Sequence, residues 1–386
     1  MTNLDMGNLA DLRDKTAIVG VGNTDFGSLY RNLDPERSSY DLGMEALKMA
    51  MDDAGLTKDD IDGVLVSRIP DYTQFCDMLG RHHINYATIL PGGGRYSGMA
   101  LQYAVMLVTS GLANVVACVY GNNGRSVGAT YGGEREQSGS FDTMYGFTSP
   151  GASWAMMWRR YCHQYGIREP ERLGAIAVSN RKHAATNPYA VMKEPMSLEE
   201  YRKARWIAEP LRLFDYCLIN DGGVAFIVTS AERARSLRKP PVYISATVGA
   251  TSLTDHFTQD DGFQTAMESI AERIYPAAGI DRTDVDCLQI YDHFSPAVLF
   301  ALEYFGYAPR GESLDFVQDG RITVGGELPI NTSGGHLSES YMQGWALHVE
   351  AVRQLRGERG AAQVPDCEVV QYICIAHIAS SHILRR

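Results

Sequence analysis

The chain lacks paired cysteines. Its seven cysteines (Cys76, Cys118, Cys162, Cys217, Cys287, Cys367 and Cys374) are scattered singly with no Cys-x-x-Cys, which excludes a disulfide framework or zinc ribbon and fits a reducing compartment. No uncharged apolar run approaches the length of a membrane-spanning helix. The opening MTNLDMGNLADLRDK carries acidic residues and no apolar core of a signal peptide. A cytoplasmic protein outside the membrane is expected. Basic excess is also missing: 35 Lys and Arg stand against 46 Asp and Glu, for a net charge of −11. Nucleic acid is therefore not an expected partner, and any polyanionic ligand requires a local basic cluster. Gly20-Val21-Gly22-Asn23-Thr24-Asp25-Phe26-Gly27 superficially suggests a dinucleotide loop. Its third glycine is misplaced and no helix pattern follows directly, so that reading is rejected. The late group Cys367, Cys374, His377 and His382 is explained more simply by buried strand positions than by metal, and no metal is expected.

What is present is a soluble globular composition, 45% hydrophobic and 21% charged over 386 residues. That length favours two domains or a duplicated fold. An apolar strand at Thr16–Gly22 precedes a helix over about Tyr40–Ala54, closed by Gly55. The acidic turn Thr57-Lys58-Asp59-Asp60-Ile61-Asp62 then leads into a strand at Gly63–Val66. The same unit recurs 224 positions later: Ala278-Gly279-Ile280-Asp281-Arg282-Thr283-Asp284-Val285-Asp286 leads into Cys287–Ile290. Two copies indicate a duplicated βα domain rather than a solenoid. Lys239-Pro240-Pro241 marks the boundary, giving halves over 1–239 and 240–386. Residues of about 122–212, with few strand signals and many glycines and aromatics, read as an inserted loop region over the site.

The most informative segment runs from Asn331 to Gly344: Asn-Thr-Ser-Gly334-Gly335-His336-Leu-Ser338-Glu-Ser-Tyr341-Met342-Gln-Gly. It is a polar glycine loop opening an amphipathic helix, Trp345–Arg356, with Gly357 as its C-cap. Loops of this kind place backbone N–H groups where negative charge is stabilised. Three other segments stand beside it: the glycine loop ending Arg95-Tyr96-Ser97-Gly98, Leu218–Ala225 with Asn220-Asp221-Gly222-Gly223, and Tyr291-Asp292-His293-Phe294.

Together these four segments resemble the thiolase superfamily across nearly the whole chain. Asn187-Pro188-Tyr189-Ala190 and Ile207–Leu211 are similar to its sterol-carrier or lipid-transfer branch. The resemblance implies an α/β thiolase fold, a five-layered αβαβα stack built from two βαβαβαββ halves. The departures define the chemistry. The family's nucleophilic cysteine position holds Arg95, and Cys76 lies outside the motif. Tyr291 replaces the His or Asn of the His-x-x-Phe motif, and Tyr341 replaces the Gly-His-Pro histidine, with Met342 in place of proline. Cys374-Ile375-Ala376 partly retains the terminal Cys-x-Gly, followed by His377. With 21 tyrosines in 386 residues, two given positions are both tyrosine by composition alone with a chance of roughly 0.3%.

Without a thiolate there is no nucleophile for an acyl-enzyme, and Arg95 stays protonated. A pocket that stabilises a thioester enolate without a nucleophile suits aldol or retro-aldol chemistry on a β-hydroxyacyl thioester. One of Tyr291 and Tyr341 would take the hydroxyl proton while the other protonates the enolate carbon or orients the oxyanion. A helix N-terminus and Arg95 nearby would draw the Tyr341 pKa down. The pattern is similar to the bacterial steroid side-chain-cleaving aldolases. That resemblance implies cleavage of a 17-hydroxy steroid side chain carried as a CoA thioester, yielding a 17-ketosteroid and propionyl-CoA. It further implies no cofactor besides the CoA of substrate and product, a thiolase-type homodimer, and a small OB-fold (zinc-ribbon-like) domain of an associated hydratase, together a heterotetramer.

Around the tyrosines, His293 points to the same side as Tyr291 if the segment is extended, as a supporting partner or as a packed core histidine. His336 is a candidate oxyanion donor, Arg95 a candidate partner of the pair, and Gly334 and Gly335 candidate substrate contacts. Asn331 and Ser338 are expected to satisfy loop backbone groups, and Asp221 to serve as a turn residue. For the CoA phosphates, Arg159 and Arg160 in Trp154–Tyr161 are candidates, with an ordinary amphipathic helix as the competing reading. Two other functions stay open: a non-catalytic acyl-CoA or lipid-binding scaffold, and a Claisen-type enzyme using a cysteine such as Cys374.

Overall fold

The computed structural model describes residues 7–93, 96–129, 144–147, 149–251, 264–375 and 378–386. In chain order its principal elements are β1 (Thr16–Asn23), α1 (Ser39–Ala54), β2 (Gly63–Ser67), β3 (Tyr86–Leu90), α2 (Tyr96–Thr109), β4 (Val115–Asn122), α3 (Pro150–Gln164) and α4 (Gly174–Ala184). There follow β5 (Gly222–Ser230), β6 (Val242–Thr251), α5 (Gln264–Ala278), β7 (Cys287–Ile290), α6 (Pro296–Tyr304), α7 (Trp345–Leu355), β8 (Val369–Cys374) and β9 (Ile378–Arg385).

Local sequence chemistry sets the ends of these elements. Ser38 caps α1 through a reciprocal capping box with Asp41, and Gly55 closes it in the left-handed conformation at φ 73°. The repeated acidic turn folds the same way in both places. Asp60 and Asp284 each close a capping box, with Thr57 and Asp281 respectively. Asp62 then accepts from the amides of Asn114 and Val115 at the start of β4, and Asp286 from those of Glu368 and Val369 at the start of β8. The second copy thus repeats the first down to the carboxylate that sets strand spacing.

Among the described residues nine strands form one hydrogen-bonded order, β3-β2-β4-β5-β1-β6-β9-β8-β7. The order β2-β4-β5-β1 is mirrored by β7-β8-β9-β6, with parallel pairing in β2–β3, β2–β4 and β7–β8 and antiparallel pairing elsewhere. In the second half, the place of β3 is taken by a single bridge between Leu288 and Ile330. Only Ala17–Tyr243 and Ile18–Val242 join β1 to β6, so the two half-sheets diverge and stack as separate layers.

Alternation along the strands separates the faces. Val64, Val66, Ala117 and Val119 face the outer helix α1 with Ala46, Leu47 and Ala50. Their neighbours Leu65, Val116 and Cys118 face inward, against Ala100, Leu101 and Ala104 of α2 and Trp345, Val349 and Val352 of α7. On the far side, Ile290, Ile373 and Ile383 pack with Ile270 and Ile274 of α5 and Leu299 of α6. The layers run α1, first half-sheet, α2 with α7, second half-sheet, α5 with α6: a thiolase fold. The glycines rejected as a dinucleotide loop serve this packing, because a Cβ on Gly20 or Gly22 would overlap the carbonyls of Ala50 or Ala46 in α1.

The inserted region departs from the expected loops. Its described part carries α3, α4 and a small hairpin, Trp206–Ala208 with Leu211–Arg212. Glycines and aromatics there are used to seat helices: Gly174 lies against the Tyr201 ring and Gly151 against Tyr216.

Candidate active site

Tyr291 directly follows β7, and its amide donates to Ile373 O of β8 at 2.8 Å. This ties the residue to the end of the second half-sheet. Tyr341 lies in the loop before α7, its amide held by Asn220 Oδ1 at 2.8 Å. The two hydroxyls share a hydrogen bond of 2.9 Å. Tyr291 is buried and Tyr341 half-buried. Burial pushes the Tyr291 phenol well above its usual pKa, and the adjacent Tyr341 adds to the effect.

The loop that carries Tyr341 is built by buried polar contacts. Asn331, at φ 53°, accepts from Ile290 N at 2.7 Å and donates to Ile290 O at 2.9 Å, continuing the strand edge through a side chain. Gly334 and Gly335 follow at φ 109° and 56°. Gly335 passes so close to Asp292 that a Cβ would overlap Oδ2. The Asp292 carboxylate accepts from His336 N at 2.8 Å and from Asn180 Nδ2 of α4, and lies 3.0 Å from His336 Nδ1. His336 Nε2 accepts from Gly344 N at 2.9 Å. Nε2 is therefore the acceptor, and Nδ1 lies beside the Asp292 carboxylate as a close charge contact without hydrogen-bond geometry. Its ring meets the edges of Tyr291 and Tyr341 at 4.6 and 5.3 Å between centroids.

These contacts revise several expectations. His336 Nε2 accepts from Gly344 N, and its Nδ1 lies 3.0 Å from Asp292, so the ring is engaged by the loop around it. The amides of His336, Tyr341 and Gly344 are likewise committed to protein acceptors. Tyr341 is not in the first turn of α7, whose N-cap is Gly344 at φ 88°; a turn of π-helix, Gly335–Glu339, intervenes in the loop. Gly334 and Gly335 are buried against Ala184 and Asp292, where they permit the turn. His293 does support Tyr291. Its Nδ1 donates to Tyr291 O at 3.3 Å, its ring lies 4.8 Å from the phenol, and burial lowers its pKa to about 3, keeping it neutral. Asn331 satisfies backbone as expected, Ser338 Oγ accepts from Arg181 at 3.2 Å, and Asp221 anchors the amides of Arg125 and Ser126.

Arg95 and His377 lie outside the described residues. Arg159 and Arg160 sit on the exposed face of α3, with Arg159 3.8 Å from Glu209, while Trp154, Trp158 and Tyr161 are buried. This helix reaches the site through Trp154, whose ring contacts His293 edge-on at 4.7 Å. Among the described residues no His, Cys, Asp or Glu group is placed to hold a metal. No described helix is long and apolar enough to cross a membrane.

The sequence reading missed Asn180, Asn220, Asp292 and Gly344 as parts of the site. Asn220 and Asp292 sit inside the quoted motifs, so position was the available signal. Asn180 carried none. A third tyrosine, Tyr372, was also missed: it is fully buried, and its hydroxyl lies 2.9 Å from Ser97 Oγ.

Comparison with known proteins agrees with this fold. Residues 249–384 match the family described as Thiolase C-terminal domain-like. The chain is 37% identical over 365 residues to the 17-hydroxy-3-oxo-4-pregnene-20-carboxyl-CoA lyase of Mycobacterium tuberculosis, covering 90% of this chain and 92% of that protein. It is 37% identical over 361 residues to the steroid side-chain-cleaving aldolase of Thermomonospora curvata, covering 88% and 90%. The solved structure of an Ltp2-ChsH2(DUF35) aldolase superposes with a TM-score of 0.87 at 35% identity, covering 97% of this chain and 98% of that one. With this fold, and with paired tyrosines in the motif positions, the chain belongs to the thiolase superfamily, in the lipid-transfer-protein branch with the steroid side-chain-cleaving aldolases.

Proposed function

We propose that the chain is a carbon–carbon lyase that cleaves a β-hydroxyacyl-CoA by a retro-aldol reaction. Its substrate would be a 17-hydroxy steroid side-chain CoA thioester and its products a 17-ketosteroid and propionyl-CoA. The observation that carries this reading is the 2.9 Å bond between the Tyr291 and Tyr341 hydroxyls. The names of the two 37% identical relatives, a lyase and an aldolase, support it.

The pair explains how protons balance. Cleavage moves one proton off the β-hydroxyl and one proton onto Cα, with no net change. One phenol accepts the hydroxyl proton as it passes its own to the second, and the second protonates Cα as the Cα–Cβ electrons arrive there. Because burial raises the Tyr291 pKa, a transfer that keeps both phenols neutral avoids an expensive buried phenolate. Neither residue forms a bond to the acyl group. Which phenol faces the hydroxyl is fixed by the substrate's seat.

Two further features bear on assembly. β3 is the edge of the first half-sheet, with Tyr86 38% and Ile89 39% exposed, which supports pairing with a second copy there. The solved relative is named for two components, Ltp2 and ChsH2(DUF35), which supports a hydratase-associated OB-fold partner and a heterotetramer.

The test is incubation of the purified chain, alone and with its OB-fold partner, with a 17-hydroxy steroid acyl-CoA. The 17-ketosteroid and propionyl-CoA should form in equal amounts, and the protein's intact mass should stay unchanged. Binding without ketone in either preparation would leave only a carrier role. A trapped acyl adduct on Cys374 would instead indicate Claisen chemistry.

A further inference from the structure

Gly344 sits in tight surroundings next to the tyrosine pair. Its amide is held by His336 Nε2 and its carbonyl accepts from His348 Nδ1 at 3.0 Å. A Cβ at this position would lie 2.5 Å from Ser97 Oγ, 2.6 Å from Tyr372 Oη and 3.0 Å from Tyr291 Cδ2. Three side chains from three separate elements therefore converge on one point. Ser97 comes from the first turn of α2, Tyr372 from β8 and Tyr291 from the end of β7. Here the N-termini of α2 and α7, the paired central helices of the two halves, meet beside the phenol.

Tyr372 is the fixed member of this group. It is fully buried, and its ring lies between His348, at 4.2 Å, and His382, stacked at 5.3 Å with planes 10° apart. Burial keeps both histidines neutral. The Tyr372 hydroxyl bonds to Ser97 Oγ at 2.9 Å, and Cys374, two positions along the same strand face, packs beside it. Tyr291, Tyr341, Tyr372, Leu347 and Cys374 form one packed cluster.

We propose that Tyr372, held by Ser97 across the open α-carbon of Gly344, is a positioning residue that fixes the Tyr291 ring in register with Tyr341. The role rests on the reading of Tyr291 and Tyr341 as the reacting pair. The hydroxyl of Tyr372, not its ring alone, sets the position: Phe fills the same space between the histidines but leaves Ser97 Oγ without this bond in a buried site.

The test uses Tyr372→Phe, Ser97→Ala and the double variant in the full chain with its partner. Each single change should lower kcat by about 10-fold to 100-fold, the cost of a displaced reacting group. KM should stay within about twofold, since the substrate's own contacts remain. The double variant should match either single one, because both remove the same bond. A structure of Tyr372→Phe should show the Tyr291–Tyr341 hydroxyl bond lengthened beyond hydrogen-bonding reach; this readout does not depend on turnover. An unmoved 2.9 Å pair would overturn the assignment even if the proposed lyase activity is correct. Wild-type kcat in Tyr372→Phe, or a loss of thermal stability with kcat intact, would overturn it as well.

Discussion

Asp292 and His336 form a buried pair, Oδ1 to Nδ1 at 3.0 Å, with both side chains essentially excluded from solvent. The carboxylate orients the imidazole so that Nε2 accepts from Gly344, and that bond sets the turn between Tyr341 and α7. The pair stands where an acid–base couple is easily imagined. Its hydrogen bonds, from the amides of His336 and Gly344 and from Asn180, hold the loop that carries Tyr341.

Replacing Asp292 with Asn should therefore damage both stability and turnover. The amide would present a donor either toward the His336 amide or toward Asn180, where an acceptor is needed on both sides. A loss of about 1–3 kcal/mol is expected for the mismatched buried group, read by urea unfolding, with kcat falling alongside. His336→Gln, which keeps an acceptor of similar reach, should lose less.

Tyr291→Phe and Tyr341→Phe should fold normally and each lose at least about 10²-fold in turnover. The double variant should lose little more than the worse single one, as expected for groups acting as a unit. Near-normal turnover in both single variants would remove the pair from the mechanism.

Gly335→Ala and Gly357→Ala provide a matched comparison, at φ 56° and 71°. Both pay the left-handed cost of about 1–2 kcal/mol. At Gly357 an added methyl meets nothing within 4 Å, whereas at Gly335 it overlaps Asp292 Oδ2. The Gly335 variant should lose clearly more stability in thermal unfolding and also activity; equal losses would deny Gly335 its close approach.

Stability should rise with pH between about 4.5 and 6.5. His183 and His348 are lowered to about 4, His293 to about 3 and His382 well below its usual value, all by burial. These groups are neutral when folded and gain protons on unfolding below about 6.5. Their contribution is full above that pH and is lost as pH falls. Glu339, raised to about 7, and Asp215, raised to about 6, oppose this, because they release protons on unfolding as pH climbs above about 4. The four histidines outnumber the two acids, so the slope is positive, about 1.4 kcal/mol per pH unit for each net proton. Urea midpoints at stepped pH give the sign directly; a falling curve would show that the acids dominate.

Much of the fold was legible because its signals are local. Capping boxes, the Gly55 and Gly357 positions and strand alternation depend on residues a few places apart. The 224-residue repeat of an Ala-Gly and an acidic turn exposed the duplication for the same reason. In the inserted region the amphipathic reading of Trp154–Tyr161 found α3, but α4 was not legible, since it buries its faces against the loop before α7 and not by a clean amphipathic stripe. The partners of His336 were not legible, because its ring nitrogens meet groups that only the folded loop brings beside them.

By itself the sequence determined the repeated acidic turn before two strands, the absence of a motif cysteine and the presence of tyrosine at both altered positions. These follow from residue identity and short-range pattern. Only the tertiary structure decided that Tyr291 and Tyr341 share a hydrogen bond of 2.9 Å, that Asn180 and Asn220 serve the loop, and that Tyr372 meets Ser97 from 275 positions away. Such contacts exist only after the two half-sheets stack. Stacking brings the N-termini of α2 and α7 to one point, and no local pattern encodes which side chains will face each other there.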